Sequence, residues 1–315
     1  MTTTVSEEIF LEIIFEQVFI LLAFAAVGFL LAKCGIAKSS HADLLSKLLV
    51  YVFLPANIFK TFAQNCTVAY VADNYILLLA SFAILLVLVL TVHFGTRLCI
   101  PTSPDRAVYE YSLMIPNFGY MGYTFAETLF GSAGLMDAMM FSMPMSLYVY
   151  TIGYVILSGK KPTPKNLLNP MILSLLLGAL VGLTGTGTYI PEVTYTLLDK
   201  ASACMAPVSM LLLGLVLSEY KLGEMLKRPS VYLVSALRLF AIPVLLGAVL
   251  SFFKISTLTS SAVLLYCMPC GLNTIVFVKN AGGDCRPGAA LALVSNLLAC
   301  VSIPLVLYIF GIHIL

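Results

Sequence analysis

Ile115-Pro116-Asn117-Phe118-Gly119-Tyr120-Met121-Gly122 lies in the middle of a long apolar segment, and Met268-Pro269-Cys270-Gly271-Leu272-Asn273 interrupts a second one at a nearly matched place. Proline removes a backbone donor and clashes with the preceding turn, and glycine loosens what remains. A membrane helix carrying both opens there and exposes backbone polar groups, which survive at bilayer depth only inside protein or against a polar cavity. Two such interruptions in corresponding halves of one chain point to the substrate site of a transporter.

The composition sets the class. Of the 315 residues 60% are hydrophobic and 10% charged, against roughly 25% charged in a soluble domain. Apolar runs recur at about the 20 residues needed to cross a hydrocarbon core of roughly 30 Å. The reading is an all-α polytopic membrane protein of ten helices, at residues 9–32, 44–63, 75–98, 107–130, 135–157, 168–184, 195–217, 231–253, 258–279 and 288–309. Glu7, Glu8, Glu12 and Glu16 stand where a secretory signal would carry basic residues, so no cleavable signal is expected. Eight cysteines are scattered, Cys267-Met-Pro-Cys270 is the one C-x-x-C, and the histidines are far apart, so neither a metal nor a redox cofactor is expected. No Walker motif is present, which excludes ATP as the direct energy source.

Lysine and arginine give the orientation, because they are retained in cytoplasmic loops. Thirteen fall after the odd-numbered spans: Lys33, Lys38, Lys47, Arg97, Arg106, Lys160, Lys161, Lys165, Lys221, Lys227, Arg228, Lys279 and Arg286. Lys60, Lys200 and Lys254 fall on the other side, and Arg238 lies inside span 8. This split places both termini outside a plasma membrane, or a bacterial inner membrane if the source is prokaryotic.

The midspan prolines recur. Pro55 and Pro207 are 152 residues apart, Pro116 and Pro269 are 153 apart, and Pro144 and Pro304 are 160 apart. Residues 1–158 and 159–315 therefore read as two five-helix repeats. With an odd number of spans in each, the second must enter the membrane from the opposite face. That inverted arrangement is common among secondary transporters.

The chemistry expected at the two breaks is anion binding. If each second half-helix begins just after its proline, its free N–H groups and dipole present partial positive charge to the midplane. Asn117, Asn273 and Thr274 supply polar side-chain groups, while Gly119 and Gly271 permit close backbone approach. The plainer alternative is a pair of kinked helices tied by amide hydrogen bonds. Asn57 and Ser209 are weaker candidates on helices 2 and 7. Glu110, Glu127, Arg238 and Lys279 are coupling or gating candidates, with an Arg238–Glu110 ion pair favoured and helix-end roles for Glu127 and Lys279. Gly178 and Gly182 form a GxxxG suited to close helix packing or a dimer contact. Asn65-Cys66-Thr67 fits a glycosylation triplet on the outer side.

These motifs resemble a known family. The run from Ile115 to Gly122 is similar to the helix 4 motif of auxin efflux carriers, in which Leu-Pro-Asn leads into Met-Gly. Met268-Pro269-Cys270-Gly271, followed by Val276-Phe277-Val278-Lys279, is similar to that family's helix 9. Leu54-Pro55, Asn169-Pro170, Leu213-Gly214, Arg238 with Pro243, and Ile303-Pro304 extend the resemblance over the whole chain. It implies a fold shared with bile-acid:sodium symporters, in which helices 4 and 9 cross at their breaks. It also implies a scaffold of helices 1, 2, 6 and 7, a transport unit of helices 3–5 and 8–10, and a homodimer. A short loop between helices 5 and 6, and Cys270 where the family often has glutamine, depart from the plant carriers. A small mono- or dicarboxylate is thus expected in place of auxin.

The expected function is secondary, elevator-like transport of a small organic anion, with proton or sodium coupling open. A sodium-coupled symporter, with Asn117, Thr274, Ser295 and Asn296 as partial ligands, and a membrane sensor that does not transport are the alternatives. An enzyme is not expected, because no nucleophile–base pair or metal cluster recurs on a helix face. Lipid and a second copy, not nucleic acid, are the expected partners.

Overall fold

The computed structural model describes residues 7–38, 40–99, 105–159 and 169–312; the lysine-rich loop at 160–165 and the start of the sixth predicted span lie outside them. Among the described residues there is no strand, only an isolated backbone bridge between Pro116 and Cys270. The helices are α1 (Glu7–Lys33), α2 (His41–Asn65), α3 (Val68–Cys99) and α4 (Arg106–Met114). They continue as α5 (residues 118–130), α6 (residues 132–158), α7 (Pro170–Thr184) and α8 (Glu192–Leu217). The chain ends in α9 (Pro229–Ser251), α10 (Ser256–Tyr266), α11 (Asn273–Asn280) and α12 (Arg286–Ile309).

Among the described residues seven helical segments are long and apolar enough to cross a membrane: α1, α2, α3, the joined α5–α6, α8, α9 and α12. Large apolar side chains such as Phe19, Phe82, Leu180 and Val301 lie exposed on the outside of the molecule, as a lipid-facing surface requires. This is a multi-pass membrane protein.

Proline and glycine set the local shape. Gly131 has φ +66°, which L side chains avoid, and it turns α5 into α6 four residues before the expected start of the fifth span. Wide π turns occupy Leu49–Phe53 and Leu237–Ala241, each ending two residues before a proline, Pro55 and Pro243. The proline ring displaces the carbonyl four residues earlier, and a widened turn accommodates it. Asn169 caps α7 by accepting from the Ile172 N–H at 2.9 Å, with Pro170 at the first helical position.

Two backbone-close pairings organise the packing. α1 lies against the second part of α8, where a Cβ added at Gly28 would fall 2.3 Å from the Leu211 carbonyl oxygen and one at Gly214 would fall 2.0 Å from that of Ala25. α7 lies against α2 in the same way: Gly178 meets the Phe59 carbonyl oxygen and Gly182 that of Phe62. The GxxxG of α7 is therefore spent on packing within the chain, not on a dimer contact. Elsewhere α3 packs on α5–α6, α6 on α10, α10 on α9, and α9 on α12.

Candidate functional site

α4 ends at Met114, and Ile115 turns to an extended conformation (φ −116°, ψ 114°). Pro116 then crosses the second break antiparallel to Cys270. The Asn117 N–H donates to the Pro269 carbonyl at 2.8 Å, and the Cys270 N–H donates to Ser295 Oγ at 3.1 Å. Backbone groups freed by the prolines thus find partners in each other and in α12, which satisfies the demand that buried peptide groups be paired.

One detail differs from the sequence expectation. Neither proline opens its second half-helix. Phe118 begins a π turn two residues after Pro116, and α11 begins four residues after Pro269, at Asn273. Both prolines sit in the extended crossing, because the bond from Asn117 to Pro269 holds the backbone straight there. The carbonyl of Asn117 accepts from the N–H groups of Met121 and Gly122 at 3.3 and 3.0 Å. At α11 the N–H groups of Thr274 and Ile275 are already taken by the Gly271 and Leu272 carbonyls, at 3.4 and 2.9 Å, so what both beginnings keep is the partial positive charge of a helix N-terminus.

A cleft follows the crossing. Pro116, Asn117, Gly119, Gly271 and Asn273 line it with Leu54 of α2 and Met171 of α7. Tyr120 and Tyr150 also line it; as midspan tyrosines they carried no distinguishing sequence signal. The free space is about 20 Å³, room for roughly one water. Within it the two asparagines differ. Asn117 is 3% exposed and its Nδ2 has no hydrogen-bond partner, whereas Asn273 Nδ2 donates to the buried Tyr111 hydroxyl at 3.0 Å.

The remaining candidates fall elsewhere. Thr274 Oγ1 donates to the Gly271 carbonyl and Ser209 Oγ to that of Ala206, so each hydroxyl is satisfied locally. Asn57 is buried on α2 with Oδ1 unpartnered, and none of these three lines the cleft. Ser295 accepts from Cys270, while Asn296 donates to the Ala292 carbonyl.

The expected Arg238–Glu110 pair is absent. Glu110 is held by Thr96 Oγ1 at 2.7 Å and by Arg106 and His93, both at 3.3 Å. Arg238 is fully buried, its Nε, Nη1 and Nη2 are all without partners, and its guanidinium lies 5.2 Å from the Tyr266 ring centre. Similar depth along two helices did not bring the charges together, because Glu110 turns toward α3 and Arg238 toward α10.

Glu127 and Lys279 both join the broken helices to neighbours. Lys60 of α2, nearly buried, reaches Glu127 of α5 at 3.1 Å and Asp199 of α8 at 2.8 Å. At the opposite end Lys279 of α11 meets Glu219, just past α8, at 2.9 Å. Beside Lys279 a cleft of about 230 Å³ runs between α2, α8 and α11, lined by Asp43, Ser46, Leu213 and Val276, and reaches Leu272 at the crossing. Among the described residues no group of acidic, cysteine and histidine side chains has the makings of a metal site.

With this geometry in place, comparison with known proteins is informative. A family described as membrane transport protein matches residues 13–164 and 158–307. An uncharacterised transporter of Methanocaldococcus jannaschii is 27% identical over 211 residues, covering 64% of this chain and 68% of the relative. Another uncharacterised transporter, from Methanothermobacter thermautotrophicus, is 23% identical over 303 residues, covering 92% of this chain and 96% of the relative. The chain belongs to the membrane transport protein family, that of the auxin efflux carriers, as the two crossing motifs led one to expect.

Proposed function

We propose that this member of the membrane transport protein family is a secondary transporter of a small organic anion, a mono- or dicarboxylate, working by alternating access. The observation that carries the reading is Asn117: a buried amide donor without a partner, lining a cleft where two broken helices cross. A buried donor left unpaired costs roughly 1–3 kcal/mol, and an arriving carboxylate would remove that cost. Two half-helix beginnings at the same cleft favour negative charge without a cation in the bilayer centre.

The ten-crossing inverted repeat belongs to this proposal. α4 with α5 and α10 with α11 each count as one broken crossing, and α7 as a short one. Support comes from the two backbone-close pairings. Moved by the 152-residue offset of Pro55 and Pro207, the α1 stretch 25–29 falls on 177–181 of α7, and the α2 stretch 59–66 falls on 211–218 of α8. The α1–α8 and α7–α2 contacts are thus equivalent under the repeat. Their glycine-tight packing suits a rigid scaffold of α1, α2, α7 and α8, against which the other helices move in an elevator-like step.

In the conformation described, the crossing is approached through the cleft beside Lys279, on the side that the charge bias makes cytoplasmic. Lys60 ties α5 to α2 and α8 at the other end. The test is a thermal-shift screen of the purified protein against mono- and dicarboxylates, with and without sodium and at two pH values. The proposal expects stabilisation by at least one carboxylate and none by its amide. Stabilisation by neutral or cationic solutes alone would overturn it.

A further inference from the structure

Arg238 is the fully buried cation that neither the site nor the packing explains. It sits in the π turn Leu237–Ala241 of α9, which packs against α4 and α12. Its guanidinium lies over the Tyr266 ring, one residue before the Cys267-Met268-Pro269-Cys270 turn that makes the crossing. Cys267 and Cys270 are within its electrostatic reach. The three guanidinium nitrogens and the Tyr266 hydroxyl all lack hydrogen-bond partners, and the residue has no exposed surface.

Arginine stays charged, so an apolar burial of this kind is costly unless an opposite charge comes near. Stacking on an aromatic face offsets only part of that cost. Glu110, the acid expected to balance it, is committed to Thr96, Arg106 and His93. Tyr266, under the guanidinium, leads through Cys267 to Cys270, which pairs with Pro116 in the lining of the cleft that holds the unpaired amide of Asn117. A negative charge entering that cleft would act on the guanidinium through the Cys267–Cys270 turn.

We propose that Arg238 determines the charge selectivity of the crossover site. It touches no ligand; it acts through the Cys267–Cys270 turn to make the cleft prefer a carboxylate over a neutral isostere. The inference rests on the anion-transport reading and adds the residue that sets its specificity. It also accounts for a buried cation with no acidic side chain paired to it: the balancing charge is the substrate's own.

The test compares wild type, Arg238→Met and Arg238→Lys with matched probes, benzoate against benzamide and succinate against succinamide, by binding and by thermal unfolding. A unit charge acting across roughly 10 Å at an effective dielectric of about 20 changes binding by about tenfold. Arg238→Met is therefore expected to lose about tenfold in carboxylate affinity with the amide unchanged, and Arg238→Lys to retain the preference. Because methionine removes an unpaired buried charge, the Met variant is also expected to unfold at a higher temperature. A Met variant that keeps the carboxylate preference overturns the inference while leaving the anion reading intact. One that fails to fold overturns it too, since Arg238 would then be structural. A wild type that does not distinguish carboxylate from amide overturns the anion reading and this inference with it.

Discussion

Asn117, one residue after Pro116, and Asn273, four after Pro269, share one chemistry, yet their surroundings give them different work. Asn273 is spent on Tyr111, a link between the two broken helices; Asn117 is unspent. Removing each should therefore act on stability in opposite ways. Asn273→Ala orphans a fully buried hydroxyl and should cost about 1–3 kcal/mol, whereas Asn117→Ala removes an unpaired donor and should leave the unfolding temperature unchanged or raised. A loss of stability in Asn117→Ala like that in Asn273→Ala would make Asn117 a structural amide. The sequence could name both asparagines, since an amide side chain beside a proline–glycine break is a local signal. It could not rank them, because Tyr111 is reached only through the fold. The Arg238–Glu110 pairing failed for the same reason: depth along a helix is legible in sequence, but the direction a side chain faces after packing is not.

At the scale of elements, the breaks were legible because proline and glycine act locally. Their fine geometry was not. The extended crossing is held by a backbone bond from Asn117 to Pro269, a tertiary contact that moves the helix starts past both prolines. The helix-end charges, read as interface groups with gating or coupling as the other option, form ion pairs between helices in the structure. Lys60 is nearly buried, but Glu127 and Asp199 are about half exposed. Such a tie is worth on the order of 1 kcal/mol or less, weak enough to break and re-form in the proposed alternating-access cycle. Glu127→Gln should release the end held by Lys60 and shift the population away from the conformation described, by up to about fivefold. A cysteine introduced at Val276, in the cleft beside Lys279, reports this with Cys34 and Cys204 replaced by serine. Its labelling by a membrane-impermeant maleimide should slow in the Glu127→Gln background. An unchanged rate would show that Lys60–Glu127 is not a gate.

For the whole molecule, the membrane class and the family could be read from apolar runs and two short motifs. The proposed relation between halves draws on more than the prolines. Glycine-tight contacts that coincide under the same residue offset lie in α1 with α8 and in α7 with α2, away from the breaks. A rigid four-helix scaffold and a moving unit that carries the crossing follow as one proposal, with Asn117 on the moving side and Leu54 and Met171 facing it from the scaffold. With space at the crossing for roughly one water, binding any carboxylate requires the two sets to part. The most direct test is uptake of a radiolabelled carboxylate, chosen by the thermal-shift screen, into proteoliposomes containing wild type or Asn117→Ala. The account predicts saturable uptake by wild type and none above protein-free vesicles by the variant, although the variant folds. Uptake by Asn117→Ala at the wild-type rate would contradict it.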